Sequence, residues 1–430
     1  MVRRMAAGMA AGDGARAEGR GGALSGRPGL DAAGLARAAR SVFEACRRRH
    51  APLAVFDAAP MDEWLDMTVA QAVPDADDRR AAVRDVNGLF GISLPAPGEA
   101  CLCGDFCAAA YRHWLRGERR MTFLTSGSTG RPKACPHAET ALLQEAAALA
   151  PLFAPCRRVL LPVPCHHLYG CIFGIFMPLA CSLPVETRPS LPHALMDAMR
   201  PGDALIAMPL LLERFVSLLD SGKAGGETGR GITIVSATAP LRPATGERLA
   251  AMGFRLIEIY GSSETGVVGW RESVREPYRL LPYWRRGADA ADAQTLVRTM
   301  PDGSKRPYPL QDVIVWRDDG GLVPAGRRDR AVQVAGVNVH PARVEEVLAA
   351  HEGVAQCRMR LMRPEEGDRL KAFIVPKGNW DARSLRVSLA AYLRERLSDV
   401  ERPRSLTFGN TLPRNALGKD ADWDAGRGGR

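Results

Sequence analysis

Nothing in this sequence approaches eighteen uninterrupted apolar residues, because even its alanine-rich stretches carry Glu, Arg or Gln within a turn or two. That excludes a span built on a long apolar helix. Paired cysteine motifs are missing too. Cys101, Cys103 and Cys107 lie near His113, but no second Cys-x-x-Cys or His-x-x-x-His half accompanies them, so buried thiols are expected rather than zinc ligands. Ten cysteines without a secretory leader point to reduced thiols in the cytoplasm rather than a disulfide framework. Aromatics make up only 6% of the chain. No folded basic stripe is interleaved with them, which leaves no footprint for a nucleic acid.

What is present is a chain of 430 residues, 46% hydrophobic and 25% charged, long enough for two or three globular units. The formal net charge of +10 is unevenly spread, since the first fifty residues hold ten Arg against four Asp and Glu. Residues 1–30 are Ala, Gly and Arg without hydrophobic periodicity, the composition of a disordered tail. Helical spacing follows at 32–50 and again across 60–116. From residue 120 strands and helices alternate, with strands expected at 120–124, 159–163, 204–208, 231–236 and 255–259 and helices at 139–153, 210–219 and 243–252. That alternation implies a largely parallel α/β sheet with functional loops at the strand ends. Past Tyr283 strand pairs take over, a hairpin turn is expected at 318–321, and a boundary near 327–329 precedes a small α+β unit of about a hundred residues.

Two loops carry the chemistry. Thr125-Ser126-Gly127-Ser128-Thr129-Gly130-Arg131-Pro132-Lys133 sits between a strand and the 139–153 helix. It offers small side chains that admit phosphate to backbone N–H groups, several hydroxyls and one cation. It is not a Walker A loop, because Pro132 precedes the lysine and Cys135 and Pro136 follow it. Tyr260-Gly261-Ser262-Ser263-Glu264-Thr265-Gly266 ends a strand with an aromatic suited to a base and a carboxylate suited to magnesium. A Gly-x-Ser-x-Gly nucleophile elbow is excluded there, since Thr265 stands where the second glycine must be.

These two loops, together with Gly326-Arg327-Arg328-Asp329, Gly336-Val337-Asn338-Val339 and Pro413-Arg414-Asn415-Ala416-Leu417-Gly418-Lys419, resemble the signature motifs of the adenylate-forming superfamily, in the same order. The resemblance covers residues 122–420. It implies an α/β large N-terminal adenylation domain with a mainly parallel sheet, shortened at its start and spanning 31–327, plus a small α+β C-terminal lid domain over 328–430. It implies an ATP-dependent acid–thiol ligase that forms an acyl-AMP, releases pyrophosphate and passes the acyl group to CoA or to the phosphopantetheine of an acyl carrier protein. On that resemblance Thr125, Ser126, Gly127, Ser128, Thr129, Gly130 and Lys133 close over ATP, and Tyr260 and Ser263 contact the adenylate. Glu264, with Ser128, holds magnesium, and Asp312 binds the ribose with help from Arg327, although Leu310 and Gln311 depart from the usual Thr-Gly. His167, Tyr169, Ser236, Thr238, Gly261 and Val267 surround the acid, with His167 and Glu264 counted among the catalytic groups. Lys419 is the cation at the reacting phosphorus, Asp329 the hinge, Gly336 the thiol tunnel, and Arg328, Arg330 and Arg358 candidates for the CoA phosphate. The chain is most similar to a compact bacterial subgroup that includes 4-coumarate–CoA ligases and the hydroxybenzoate ligases of aryl-polyene clusters, which implies an aryl acid first and a medium-chain or 3-hydroxy fatty acid next.

Overall fold

A computed structural model describes residues 29–47, 60–125, 133–220, 229–287, 294–328, 331–334, 337–363, 366–367, 369–378, 380–413 and 421–424. The expected tail lies almost wholly outside these residues. The described chain divides into two compact units, one holding residues up to 125, 134–309 and 316–323, the other Lys133, 310–315 and the residues from 324 onward. No described helix is long and apolar enough to cross a membrane.

The first unit opens with the helices Ala32–Arg47, Ala76–Phe90 and Cys103–Arg116. Asp75 starts the second of these as a genuine cap, its carboxylate accepting from the N–H groups of Asp77 and Asp78. Gly91 stops it in the left-handed conformation at φ 61°. Burial pushes the Cys103 thiol up to about 12 and that of Cys107 further, so both remain protonated packing groups.

Strand β1 (Arg120–Thr125) pairs with β2 (Lys133–Ala138) in a two-stranded sheet. β2 went unseen in the sequence because Pro136 and the polar Lys133 and His137 disguise its alternating burial. A seven-stranded sheet follows, built from β3 (Arg158–Leu161), β4 (Val185–Thr187), β5 (Asp203–Ala207), β6 (Thr233–Ser236), β7 (Arg255–Ser262), β8 (Gly266–Arg271) and β9 (Arg279–Leu280). Its spatial order is β4-β3-β5-β6-β7-β8-β9. The first five strands are mutually parallel, and β8 and β9 add antiparallel edges. β5 and β6 are buried at every position, as parallel strands covered on both faces require. The helices Pro209–Leu218 and Pro243–Ala251 pack Leu212, Phe215 and Leu249 against Leu205, Ile234 and Leu256 of the sheet. Each such side chain withdrawn from water contributes roughly 2 kcal/mol. β10 (Trp284–Arg286), β11 (Thr295–Thr299) and β12 (Lys305–Pro309) form an antiparallel three-stranded sheet.

The hairpin of β13 (Asp312–Trp316) and β14 (Leu322–Arg327) turns where expected, closed by the Arg317 N–H donating to the Gly321 carbonyl. In the second unit β15 (Val332–Val334) pairs with β16 (Val337–Val339). β17 (Val354–Leu361), β18 (Leu370–Pro376) and β19 (Ser405–Phe408) form a mixed sheet whose last pair is parallel. The helices Pro341–Ala349 and Ala382–Arg396 cover it with Val344, Leu348, Leu385 and Leu389. This is the small α+β arrangement expected from the sequence.

Candidate active site

Parallel strands deliver their following loops to one edge of the sheet. Ala207 of β5, Ser236 of β6 and Glu258 of β7 stand in register, so the segments after β5, β6 and β7 emerge side by side. β3 ends beside them and leads to His166 and His167. Because β4 and β5 flank β3 on opposite sides, the strand order reverses there, and open α/β sheets bind their ligands outside the carboxyl ends of strands at such a point.

His167 is exposed to solvent on one side, yet the protein packed around the rest of its ring lowers its pKa by desolvation, so it stands neutral at pH 7. Its ring lies 4.2 Å from that of His166, which is held in turn by the Ser41 hydroxyl at 2.8 Å from Nδ1. The Tyr169 hydroxyl lies 2.9 Å from the carbonyls of both Ala207 and Val235. Burial pushes its pKa well above the usual phenol value, so this tyrosine ties β5 to β6 as a wall and is no source of protons. Gly170 has to be glycine, since a Cβ there would lie 2.1 Å from the Pro164 carbonyl oxygen.

At the end of β6 the fully buried Ser236 hydroxyl has no hydrogen-bonding partner. An orphaned polar group at a strand end is what a ligand atom satisfies. Two residues on, the exposed Thr238 adopts φ 79°, a left-handed conformation that costs a β-branched residue energy.

The Tyr260 to Gly266 segment is the hairpin joining β7 to β8, with a register shift at Tyr260/Gly261. A Cβ on Gly261 would lie 2.2 Å from the Gly266 carbonyl oxygen, and Gly266 itself sits at φ 73°. The turn is knitted by hydroxyls: the Ser262 N–H donates to Thr265 Oγ1 at 3.0 Å, and the Thr265 hydroxyl donates to the Gly266 carbonyl at 2.8 Å. Glu264 is partly exposed. The Ser263 carbonyl accepts from His137 Nε2 at 2.7 Å, and the Thr265 carbonyl from Arg298 Nη1 at 3.2 Å. Tyr260 packs against Tyr278, ring centroids 5.5 Å apart. The buried Val267 turns its carbonyl to Trp284 Nε1 at 2.8 Å.

Behind the hairpin lies a fully buried carboxyl. Glu145 has no hydrogen-bonding partner for either oxygen, although the Val267 N–H comes near, and the Arg298 guanidinium stands 3.9 Å away. Burial raises its pKa from 4.5 to about 7, with Arg298 and the Val267 N–H pulling in the opposite direction.

The structure therefore brings His167, Tyr169, Ser236, Thr238, Gly261, Tyr260, Ser263, Glu264 and Val267 onto one sheet edge and its flanking hairpin. Lys133 is exposed at the start of β2, and Thr125 ends β1. In the second unit Asp312 and Arg327 occupy paired strands with their charges 3.7 Å apart. Arg358 is engaged by Glu345 at 3.3 Å, while Arg328 is exposed. Ser126, Gly127, Ser128, Thr129, Gly130, Asp329, Arg330, Gly336 and Lys419 lie outside the described residues. Sequence reasoning missed Ser41, His137, Glu145 and Arg298. Only Glu145 left a trace, as a charge on the buried stripe of Ala141, Leu142, Ala146 and Leu149.

Comparison with known proteins follows the same residues. The family model for AMP-binding enzymes matches 120–327, and the model for the AMP-binding enzyme C-terminal domain matches 343–419. A 4-coumarate–CoA ligase of Halorhodospira halophila is 40% identical over 302 residues, covering 70% of this chain and 74% of that protein. The 4-coumarate–CoA ligase of Cereibacter sphaeroides is 36% identical over 320 residues, with 73% of each chain covered. Among solved structures, the amide bond synthetase McbA of Marinactinospora thermotolerans shares the fold at a TM-score of 0.61 and 18% identity, covering 90% of this chain and 92% of its own. The o-succinylbenzoate CoA synthetase of Bacillus subtilis does so at 0.56 and 21%, covering 70% and 67%.

Proposed function

This chain belongs to the AMP-binding enzyme family and is an acid–thiol ligase of the 4-coumarate–CoA-ligase type, and we propose that it activates a hydroxyaryl acid of the hydroxycinnamate or hydroxybenzoate kind as the acyl-AMP, then transfers the acyl group to CoA. The observation that carries this reading is that the orphaned Ser236, the exposed, neutral His167 and the hairpin of Glu264 all follow the carboxyl ends of parallel strands of one sheet. This edge would supply a carboxylate for the metal that accompanies the nucleotide, an aromatic wall at Tyr169 and a neutral hydrogen-bonding group for the acid.

In the first step a carboxylate oxygen attacks the α-phosphorus of ATP, and the bond to pyrophosphate breaks. A carboxylate needs no base at neutral pH, so the task is to bring two anions into line and to offset their charge. Lys133 and Lys419 are assigned that offset. Glu264 and the turn hydroxyls supply hard oxygen donors. Magnesium takes one or two carboxylates plus substrate phosphates, which Glu264 with ATP would supply. The metal, when bound, neutralises phosphate charge. Neutral His167 accepts or donates one hydrogen bond at the acid without adding charge, and Tyr169 walls the pocket with its hydroxyl already committed. In the second step the thiol sulfur attacks the acyl carbonyl, AMP leaves, and the thiol proton passes to solvent.

The test is acid-dependent exchange of pyrophosphate into ATP over 4-hydroxycinnamate, 3- and 4-hydroxybenzoate, a medium-chain fatty acid and an amino acid. Lys419→Ala serves as control, and formation of the CoA thioester is followed in parallel. Exchange with a hydroxyaryl acid but no thioester would move the acceptor to the phosphopantetheine of a carrier protein. Exchange with the fatty acid alone would overturn the aryl assignment.

A further inference from the structure

The two peptide carbonyls flanking Glu264 are each held by a buried cationic or imidazole side chain reaching in from elsewhere in the sequence. Ser263 is held by His137, 126 residues earlier and on β2, the strand that follows the 126–132 segment. Thr265 is held by Arg298, 33 residues later and on β11. We propose that His137 and Arg298 are positioning residues for Glu264, fixing its carboxylate for the metal that accompanies ATP.

Both side chains are built for holding. A carbonyl only accepts, so His137 carries its proton on Nε2; its pKa is lowered chiefly by burial, which keeps the ring neutral in that tautomer. Its ring meets Phe123 of β1 at 5.9 Å, which limits rotation. Arg298 is 1% exposed and donates also to the Ala141 carbonyl at 2.8 Å and to Gln144 Oε1 at 3.2 Å. Its guanidinium lies over the Tyr283 ring at 4.5 Å. Gln144 is fixed in turn by donating to the Thr299 carbonyl at 2.9 Å. Glu145 faces both Arg298 and the backbone of Gly266, where a Cβ would meet its Oε2 at 2.3 Å. The carbonyls on either side of Glu264 thus have two buried supports, His137 and Arg298, with Glu145 packed behind the turn. Such supporting groups orient metal ligands, and losing one costs about 10- to 100-fold in metal affinity.

This inference rests on the reading of Glu264 as the magnesium carboxylate, so the experiment separates the two. ATP affinity is measured by calorimetry with magnesium and with EDTA on the full chain and on Glu264→Gln, His137→Leu, His137→Gln, Arg298→Met and Arg298→Lys. Wild type is expected to gain affinity with magnesium, and Glu264→Gln to lose that gain. His137→Leu and Arg298→Met are expected to lose about tenfold of the gain while metal-free affinity stays within about twofold. His137→Gln and Arg298→Lys, which keep a donor, recover most of it. If Glu264→Gln keeps the full gain, the reading of Glu264 fails and takes the inference with it. If Glu264→Gln loses the gain and His137→Leu keeps it, the inference alone is overturned. Should His137→Leu or Arg298→Met fail to fold, the donor-retaining variants still decide: a metal-specific change smaller than that of Glu264→Gln supports positioning, and an equal fall with and without metal refutes it.

Discussion

Lys371 Nζ, wholly buried in β18, lies 3.0 Å from a carboxylate oxygen of Asp422. The same ammonium donates to Glu366 at 2.7 Å and to the Trp423 carbonyl at 2.5 Å. Burial alone would raise the Asp422 pKa, but the hydrogen bonds of Lys371 and the Trp423 N–H, with the charges of Lys371 and Arg363, together outweigh it and hold the carboxyl below its usual value. The Ala421 N–H donates to the Pro413 carbonyl at 3.0 Å. Residues 413 and 421 on either side of Lys419 are therefore anchored together, with Lys371 fastening the downstream end.

Lys371→Met is accordingly expected to act through the anchorage of residues 413 and 421. Removing one partner of a buried charge cluster costs about 3 kcal/mol, and adenylation should fall with the anchorage while ATP affinity holds. Denaturant unfolding and pyrophosphate exchange, compared with calorimetric ATP binding, check this. Equal losses in all three would show a general collapse instead.

Glu145 gives stability a pH dependence. Its folded pKa of about 7 exceeds the ordinary 4.5, so the native state binds a proton that the unfolded chain has released between those values. Its contribution is complete below about pH 4.5 and is lost as pH rises through about 7. Glu145→Gln should flatten the fall in urea stability between pH 5 and 7. An unchanged slope would assign the effect to another group.

Thr238 holds its left-handed conformation at a cost of about 1–2 kcal/mol. Thr238→Gly releases that strain, and the freer unfolded chain takes back about 0.4–1 kcal/mol. A net gain of about 0 to 1.6 kcal/mol, raising Tm by a few degrees at most, is expected in a thermal scan. A lower Tm would mean that the threonine side chain contributes more than its backbone costs.

Gly261→Ala is expected to abolish pyrophosphate exchange while the protein stays folded. Its Cβ would meet a backbone oxygen at 2.2 Å, and backbone cannot step aside as a flexible side chain does. The strain, about 1–3 kcal/mol, falls on the turn that carries Glu264. Near-normal exchange would show that the hairpin tolerates a shifted register.

Much of the fold was legible because parallel strands buried on both faces read as short apolar runs, as at Leu205, Ile206 and Ile234, Val235. The strand at 133–138 was not, since its core-facing positions are Cys135 and His137 around a proline. In the site, the residues that announce themselves are those whose chemistry demands a local pattern: glycines where backbones touch, hydroxyls in a tight turn, a carboxylate at its tip. Their supports are scattered. Arg298 is one arginine among many in the sequence, and only folding sets it against the Thr265 carbonyl.

The distance along the chain between these supports has a consequence for biosynthesis. His137 is made 126 residues before the carbonyl it holds, and Arg298 33 residues after the one it holds. A polypeptide still on the ribosome and ending before β11 can form the strands of the large sheet but lacks the guanidinium that closes the turn. On the role proposed for Arg298, the full magnesium-dependent gain in ATP affinity is therefore expected only once β11 has been made.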